Sequence, residues 1–205
     1  KYPRNINKDL KILKKLKVNF VYTPNKNQVY NSRKMIKIHL SKKDKILCAK
    51  YRKGHFEGVI DVMNRLTKIV KPSKIFMGEK DFQQLILVKK YIEKNFKSKI
   101  VLCKTIRDKN KLALSSRNLL LKKNDQIKAG KIARSLISFK KKFFKKKITK
   151  KLIFNKKNEL EKLYGVNIEY LELRNKKNLK LSNKINNSKI FLGYYLKNIR
   201  LIDNF

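Results

Sequence analysis

The stretch Ile75-Phe76-Met77-Gly78-Glu79-Lys80-Asp81-Phe82-Gln83-Gln84-Leu85 decides how the chain is read. Ile75 to Met77 is a short apolar run of strand type, and Gly78 to Asp81 is a polar turn. From Phe82 the residues Leu85, Ile86, Lys89 and Ile92 continue at helical spacing to about Phe96. Upstream, Val59, Met63, Leu66 and Val70 recur at three and four, which predicts a helix from Gly58 that stops before Pro72. Downstream, Ile100-Val101-Leu102 predicts another strand. Helix, strand, helix, strand with tight connections is the order of a parallel α/β sheet. Ligands bind such sheets beyond the carboxyl ends of the strands, where a helix start offers unpaired N–H groups to phosphate or carboxylate. Gly78 would let a nucleotide approach the backbone, Lys80 would face phosphate oxygens and Asp81 would accept from ribose hydroxyls. On spacing alone the commoner explanation is an ordinary helix start, with Asp81 as its cap and Lys80 in solvent.

Around this centre, 205 residues suit one large domain or two small ones. Asp9 to Leu16 predicts a short amphipathic helix and Val18 to Tyr22 a strand ending at Pro24. After Arg107 a polar loop carries Leu112-Ala113-Leu114-Ser115-Ser116-Arg117-Asn118, and Asp125 to Lys142 and Lys150 to Tyr164 read as helices. Ile168 to Leu173, Lys189 to Tyr195 and Ile199 to Ile202 alternate as strands of an antiparallel sheet. The change of character places a domain boundary near residue 106, with 1–105 before it and 106–205 after it.

Lys and Arg number 56 against 14 Asp and Glu, a formal charge of +42. That invites a nucleic-acid reading, but 47 of the basic residues are Lys and nine Arg, dispersed along the chain, whereas base and bidentate phosphate recognition favours Arg. The densest block, Lys140 to Lys147, is expected on a solvated helix face, and no specific nucleic-acid partner is expected. Cys48 and Cys103 give at most one bridge and no metal-ligand spacing, so a reducing cytoplasm is the default. Lys, Arg or Asn interrupts every apolar run well short of a bilayer span, so no membrane partner is expected. The start, Lys1-Tyr2-Pro3-Arg4, lacks an initiating Met and reads as incomplete or processed.

Other groups carry chemistry less directly. An amide in the Gln83-Gln84 pair suits a substrate hydroxyl or carboxylate. Ser115-Ser116-Arg117-Asn118 suits a polyphosphate under a closing lid, or equally a capping serine followed by a surface arginine. His55, in Arg52-Lys53-Gly54-His55-Phe56, reads as a structural hydrogen-bonding residue rather than a general base. His39 reads as a strand residue in Ile36 to Leu40. Ser-His-Asp order, His-Glu-x-x-His and a Walker loop are all missing from the sequence.

Six segments in order resemble the pantothenate synthetase (pantoate-β-alanine ligase) family: Tyr2-Pro3-Arg4; Gly54-His55-Phe56 with Gly58-Val59; Gly78-Glu79-Lys80-Asp81-Phe82-Gln83-Gln84-Leu85; Leu112 to Asn118; Tyr170-Leu171-Glu172-Leu173-Arg174; and Arg200-Leu201-Ile202-Asp203-Asn204. The resemblance implies a Rossmann-like nucleotidyltransferase domain, incomplete at its N-terminus, with a small α+β C-terminal lid domain. It implies an AMP-forming ligase that adenylates (R)-pantoate with ATP and passes the acyl group to β-alanine, a Mg²⁺ ion with the ATP, and a homodimer. By the same resemblance Gly78, Glu79, Lys80, Asp81, Ile106, Leu114, Ser115, Ser116 and Arg117 contact ATP. Lys80 and Arg117 are the catalytic pair and Gln84 binds pantoate. Gln84 would share a helix face with Lys80, and Gln83, turned away, would tolerate alanine better.

Several departures accompany the match. The family's His-x-Gly-His loop and a further pantoate-binding Gln have no counterpart in these 205 residues, which implies that this piece alone is inactive. A degenerate family member kept for binding, or a basic nucleic-acid-binding protein, are the alternatives. Lys111 stands where a glycine is usual, Asn31 where a proline is usual, and Lys53 where a small residue or proline is usual.

Overall fold

The computed structural model describes residues 5–30, 38–144 and 146–205. Its elements are α1 (Ile6–Lys15), α2 (Lys26–Val29), α3 (Cys48–Tyr51), α4 (His55–Val70), β1 (Lys74–Gly78), α5 (Phe82–Asn95), β2 (Lys99–Cys103), α6 (Lys123–Lys142), α7 (Lys150–Tyr164), β3 (Asn167–Asn175), β4 (Ser188–Leu196) and β5 (Ile199–Asn204). β1 and β2 pair in parallel, Gly78 opposite Cys103, and β3, β4 and β5 form an antiparallel sheet in that order. The α/β class, with a parallel sheet and a separate antiparallel one, is as the sequence predicts.

Each boundary has a local cause. α4 ends where Lys71 takes a left-handed conformation ahead of Pro72. α7 starts at Thr149, whose hydroxyl accepts from the Leu152 amide at 3.2 Å, and ends at Gly165, φ 59°. Leu85, Val88 and Ile92 on α5 pack with Ile100 of β2, and α6 and α7 cover one face of the antiparallel sheet through Ile132, Leu136 and Leu160. A third cluster joins the two sheets' neighbourhoods: Ile60 and Phe82 meet Tyr170 and Phe191. This shared core holds the β1 strand end against the antiparallel sheet.

Three sequence expectations fail. Val18 to Tyr22 is irregular and Phe20 is 92% exposed. Alternation prepares the segment for pairing, but it pairs with no strand among the described residues. His39 sits in irregular chain for the same reason, with Ile36 and its neighbour outside the described residues. The lysine block is not one helix face: α6 stops at Lys142, and Lys140 is drawn below its ordinary pKa by burial and by the charges of Lys189 and Lys176. Tyr2-Pro3-Arg4, Asn31 and Lys145 lie outside the described residues.

Gly193 in β4 sits opposite Tyr170 of β3, and a Cβ there would lie 2.5 Å from the phenol ring. Tyr170 is buried and its hydroxyl is 3.0 Å from Cys48 Sγ, so the ring has nowhere to retreat. Gly193→Ala is expected to cost about 1–3 kcal/mol, read as a lower denaturation midpoint at constant slope. An unchanged midpoint would show the ring to be free to move.

Candidate active site

Parallel pairing brings the carboxyl ends of β1 and β2 to one edge. At that edge Glu79–Asp81 form a single 3-10 turn before α5 begins at Phe82. Gly78 is extended (φ −67°), and no heavy atom lies within 4 Å of the position a Cβ would take. Glycine is therefore not needed for backbone shape here; its lack of side chain leaves open room over the strand end. The turn is held from the other sheet: Asn204 Nδ2 of β5 donates to the carbonyls of Glu79 (2.9 Å) and Lys80 (2.8 Å). Glu79 turns its carboxylate to Lys189 Nζ of β4 at 2.9 Å, on the side of a neighbouring cavity of about 760 Å³.

A cleft opens beside the turn, lined by Cys48, Arg52, His55, Lys80, Asp81, Gln83, Gln84, Tyr170 and Asp203 among others. Asp81 is exposed and does not cap α5, and neither it nor Lys80 has a side-chain hydrogen bond or ion pair among the described residues. The ordinary helix-cap explanation therefore does not describe Asp81. Both charges are left free where a ligand would sit. Gln84 is half-buried on the cleft wall, its amide likewise without a partner among the described residues.

Gln83 corrects the sequence reading. It is 5% exposed, and its Nε2 donates to the carbonyls of Ile46 (2.7 Å) and Asp44 (3.2 Å), pinning the loop before α3, while its Oε1 is buried without a partner. Lys80 belongs to the 3-10 turn and Gln84 to the α-helix, so a uniform helical wheel through both does not apply. His55 also differs from expectation. Its imidazole makes no hydrogen bond among the described residues, packs 5.1 Å from the ring of Phe56, and faces the cleft. Burial, then the charges of Arg52, Arg117 and Arg200, hold its imidazole below the usual value, so near neutrality it is uncharged.

The polar loop is a tight hairpin. Arg107 and Ala113 form a bridge, and the Leu114 amide donates to the Ile106 carbonyl at 2.9 Å. Ile106 (66% exposed) and Leu114 (55%) thus present neighbouring apolar side chains to solvent, as a stacked base would require. Lys111 turns the hairpin at φ 71°, which explains why a glycine is usual there. Ser115 accepts from the Arg117 amide at 3.3 Å, whereas Ser116 Oγ is buried with no partner. Arg117 Nη1 reaches the Arg200 carbonyl at 3.2 Å and has no carboxylate among the described residues. Ile106, Leu114, Ser115, Ser116 and Arg117 do not line the cleft itself; they stand on the hairpin and the turn that follows it. Arg107 anchors the hairpin's base, donating to both carboxylate oxygens of buried Asp203 at 2.7 and 2.8 Å. Burial pushes the Asp203 carboxyl up, opposed chiefly by Arg107.

No group of three or more His, Cys, Asp or Glu able to hold a metal ion is gathered among the described residues. The one free carboxylate on the cleft among them, Asp81, is no metal cage, and a divalent ion travelling with a nucleotide would find its ligands in phosphate and water. Both cysteines are free, Cys48 buried and Cys103 exposed. No helix among the described residues is long and apolar enough to cross a membrane.

A parallel strand end with unpaired lysine and aspartate, backed by a second sheet, places this chain among α/β proteins that bind a ligand beyond the carboxyl ends of their strands. Comparison makes this particular. A sequence model of the family Pantoate-beta-alanine ligase matches residues 1–205, and the chain belongs to that family. It is 35% identical to the pantothenate synthetase of Flavobacterium psychrophilum and 34% identical to that of Endomicrobium trichonymphae, all of the chain matching 74% and 72% of those proteins. Among solved structures it superimposes on pantothenate synthetase from Thermus thermophilus with a TM-score of 0.90 at 26% identity, covering all of this chain and 75% of that one. Pantoate-beta-alanine ligase from Francisella tularensis, solved in complex with beta-gamma ATP and beta-alanine, gives 0.79 at 32% identity, covering all of this chain and 70% of that one.

Proposed function

We propose that this chain binds ATP and (R)-pantoate for an AMP-forming ligase reaction that yields pantothenate. The carboxylate of pantoate attacks the α-phosphorus of ATP, pyrophosphate leaves, and the amine of β-alanine then displaces AMP from the pantoyl adenylate, losing one proton. Lys80 neutralises phosphate oxygens as charge gathers on them, with Arg117 as its catalytic partner. Asp81 accepts from ribose hydroxyls, Gly78 and Glu79 present backbone, and Ile106 and Leu114 flank the base. Ser115 and Ser116 donate to phosphate, and Gln84 orients pantoate. The observation that carries the reading is the free pair Lys80 and Asp81, left without protein partners among the described residues on a turn clamped by Asn204.

Residues 1–105 are the nucleotide-binding domain and 106–205 the lid in this reading, and the working unit is a cytoplasmic homodimer that takes Mg²⁺ with its ATP. The 205 residues alone lack the His-x-Gly-His histidines and do not turn over.

Titration calorimetry with (R)-pantoate in the presence of a non-hydrolysable ATP analogue tests the assignment. Gln84→Ala is expected to weaken pantoate binding by about tenfold or more and to leave analogue binding unchanged. Gln83→Ala is expected instead to lower stability by about 1–3 kcal/mol, because two half-buried carbonyls of the loop before α3 lose their donor. Unchanged pantoate affinity in Gln84→Ala would remove the pantoate site, and a parent chain that binds neither compound would remove the proposal.

A further inference from the structure

Two segments that far separate stretches of sequence supply are fastened to the same end of β5. One is the Glu79–Asp81 turn, whose Glu79 and Lys80 carbonyls accept from Asn204 Nδ2. The other is the hairpin that carries Ile106 and Leu114. One residue before Asn204, buried Asp203 takes both ends of the Arg107 guanidinium at 2.7 and 2.8 Å. The same guanidinium donates to the Asn204 carbonyl at 3.1 Å and, across the hairpin, to the Lys111 carbonyl at 3.0 Å, and its carbon lies 4.9 Å from the centre of the Phe205 ring. The Asn204 N–H closes the set on Asp203 Oδ1 at 2.7 Å. Both carboxylate oxygens of Asp203 are thereby committed to the protein itself.

A buried ion pair adds little stability over apolar residues of the same volume, because both charges give up their water. What it fixes is geometry: a guanidinium fork on a carboxylate admits one orientation, and the further bonds to Lys111 and Asn204 tie that orientation to the hairpin and to β5. Resting on the function proposed above, we infer that Asp203 is a positioning residue for the nucleotide, acting through Arg107 to hold the hairpin of Ile106 and Leu114 at a set spacing from the turn of Asp81. One adenosine then meets its base flank and its ribose acceptor together, and a small error in that spacing is costly. Gln84 belongs to a different frame. Its helix, α5, is pinned through Gln83 to the carbonyls of Asp44 and Ile46, and Gln84 has no hydrogen bond to Asp203 or Arg107 among the described residues. Breaking the Asp203–Arg107 link therefore separates the affinity for nucleotide from the affinity for pantoate.

The test is titration calorimetry on the 205-residue chain, well below its melting temperature, with a non-hydrolysable ATP analogue and then with (R)-pantoate at saturating analogue. Asp203→Asn keeps the side-chain shape and gives up the paired charge; it is expected to weaken the analogue about tenfold or more and to leave pantoate affinity as it was. Arg107→Met is expected to do the same, the double variant to lose no more than either single one because the same link is broken, and Arg107→Lys to recover part of the loss. Asp125→Asn supplies the comparison: it breaks another buried carboxylate's ion pair, with Lys197 at 2.7 Å, and is expected to lower the melting temperature with both affinities unchanged. Asp203→Asn behaving like Asp125→Asn would overturn the inference, as would parallel losses for the two ligands or additive losses in the double variant. Should Asp203→Asn not fold, Arg107→Lys and Arg107→Met decide, and parental analogue affinity in both would overturn it. A parent that binds analogue and pantoate while Asp203→Asn binds both equally well leaves the proposed function standing and removes this inference; a parent that binds neither removes both.

Discussion

Supplied with ATP, (R)-pantoate and β-alanine, the 205-residue chain is expected to form no pantothenate above background. Its two histidines are His39, in irregular chain, and His55, on the cleft but kept uncharged near neutrality by burial and three neighbouring guanidiniums. Neither stands in a His-x-Gly-His loop. Loss of one preorganised donor costs about 10² to 10³ in rate, so loss of two takes turnover below detection. Joining a His-x-Gly-His segment from a relative ahead of Lys1 is the complementary arm, and restored product is its expected result. Turnover by the 205 residues comparable to that of a complete relative would show that the histidines are dispensable.

In that joined protein Lys80→Ala is expected to slow pantoate-dependent ATP–pyrophosphate exchange by about 10² to 10³, with ATP affinity weakened by much less. Lys80 Nζ has no partner to release among the described residues, and its backbone is fixed by Asn204, so the substitution removes a charge without moving the turn. A cation directed at phosphate oxygens contributes most as charge accumulates there in the transition state. Equal exchange rates would make Lys80 a solvated surface lysine. An equal loss in affinity and rate would make it a ground-state binding group only.

Most elements are legible in the sequence because their periods are local. The threes and fours of α4, α5, α6 and α7 and the alternation of β3 to β5 are properties of each segment alone. Val18 to Tyr22 misleads because alternation reports readiness to pair and is blind to whether a partner exists. Gln83 is misread at the junction of a 3-10 turn and an α-helix, where the angle per residue changes. The strand-end turn is visible in the sequence as a place, yet its freedom from internal partners is not, since Asp81 has the composition of a cap without performing as one.

Asn204 grips the turn through two carbonyl oxygens and makes no hydrogen bond to a side chain there among the described residues. The grip is therefore indifferent to which residues occupy positions 79 and 80. Substitution of Lys80, whose side chain bonds nothing among the described residues, varies the chemistry over a constant backbone, so rates measured there can be read as chemistry, whereas Glu79 also carries the ion pair to Lys189. Asn204 itself is the opposite kind of position. Trading its amide for a carboxylate would set an acceptor against two acceptors, displacing both residues of the turn together and misaligning the cleft while every cleft residue kept its identity.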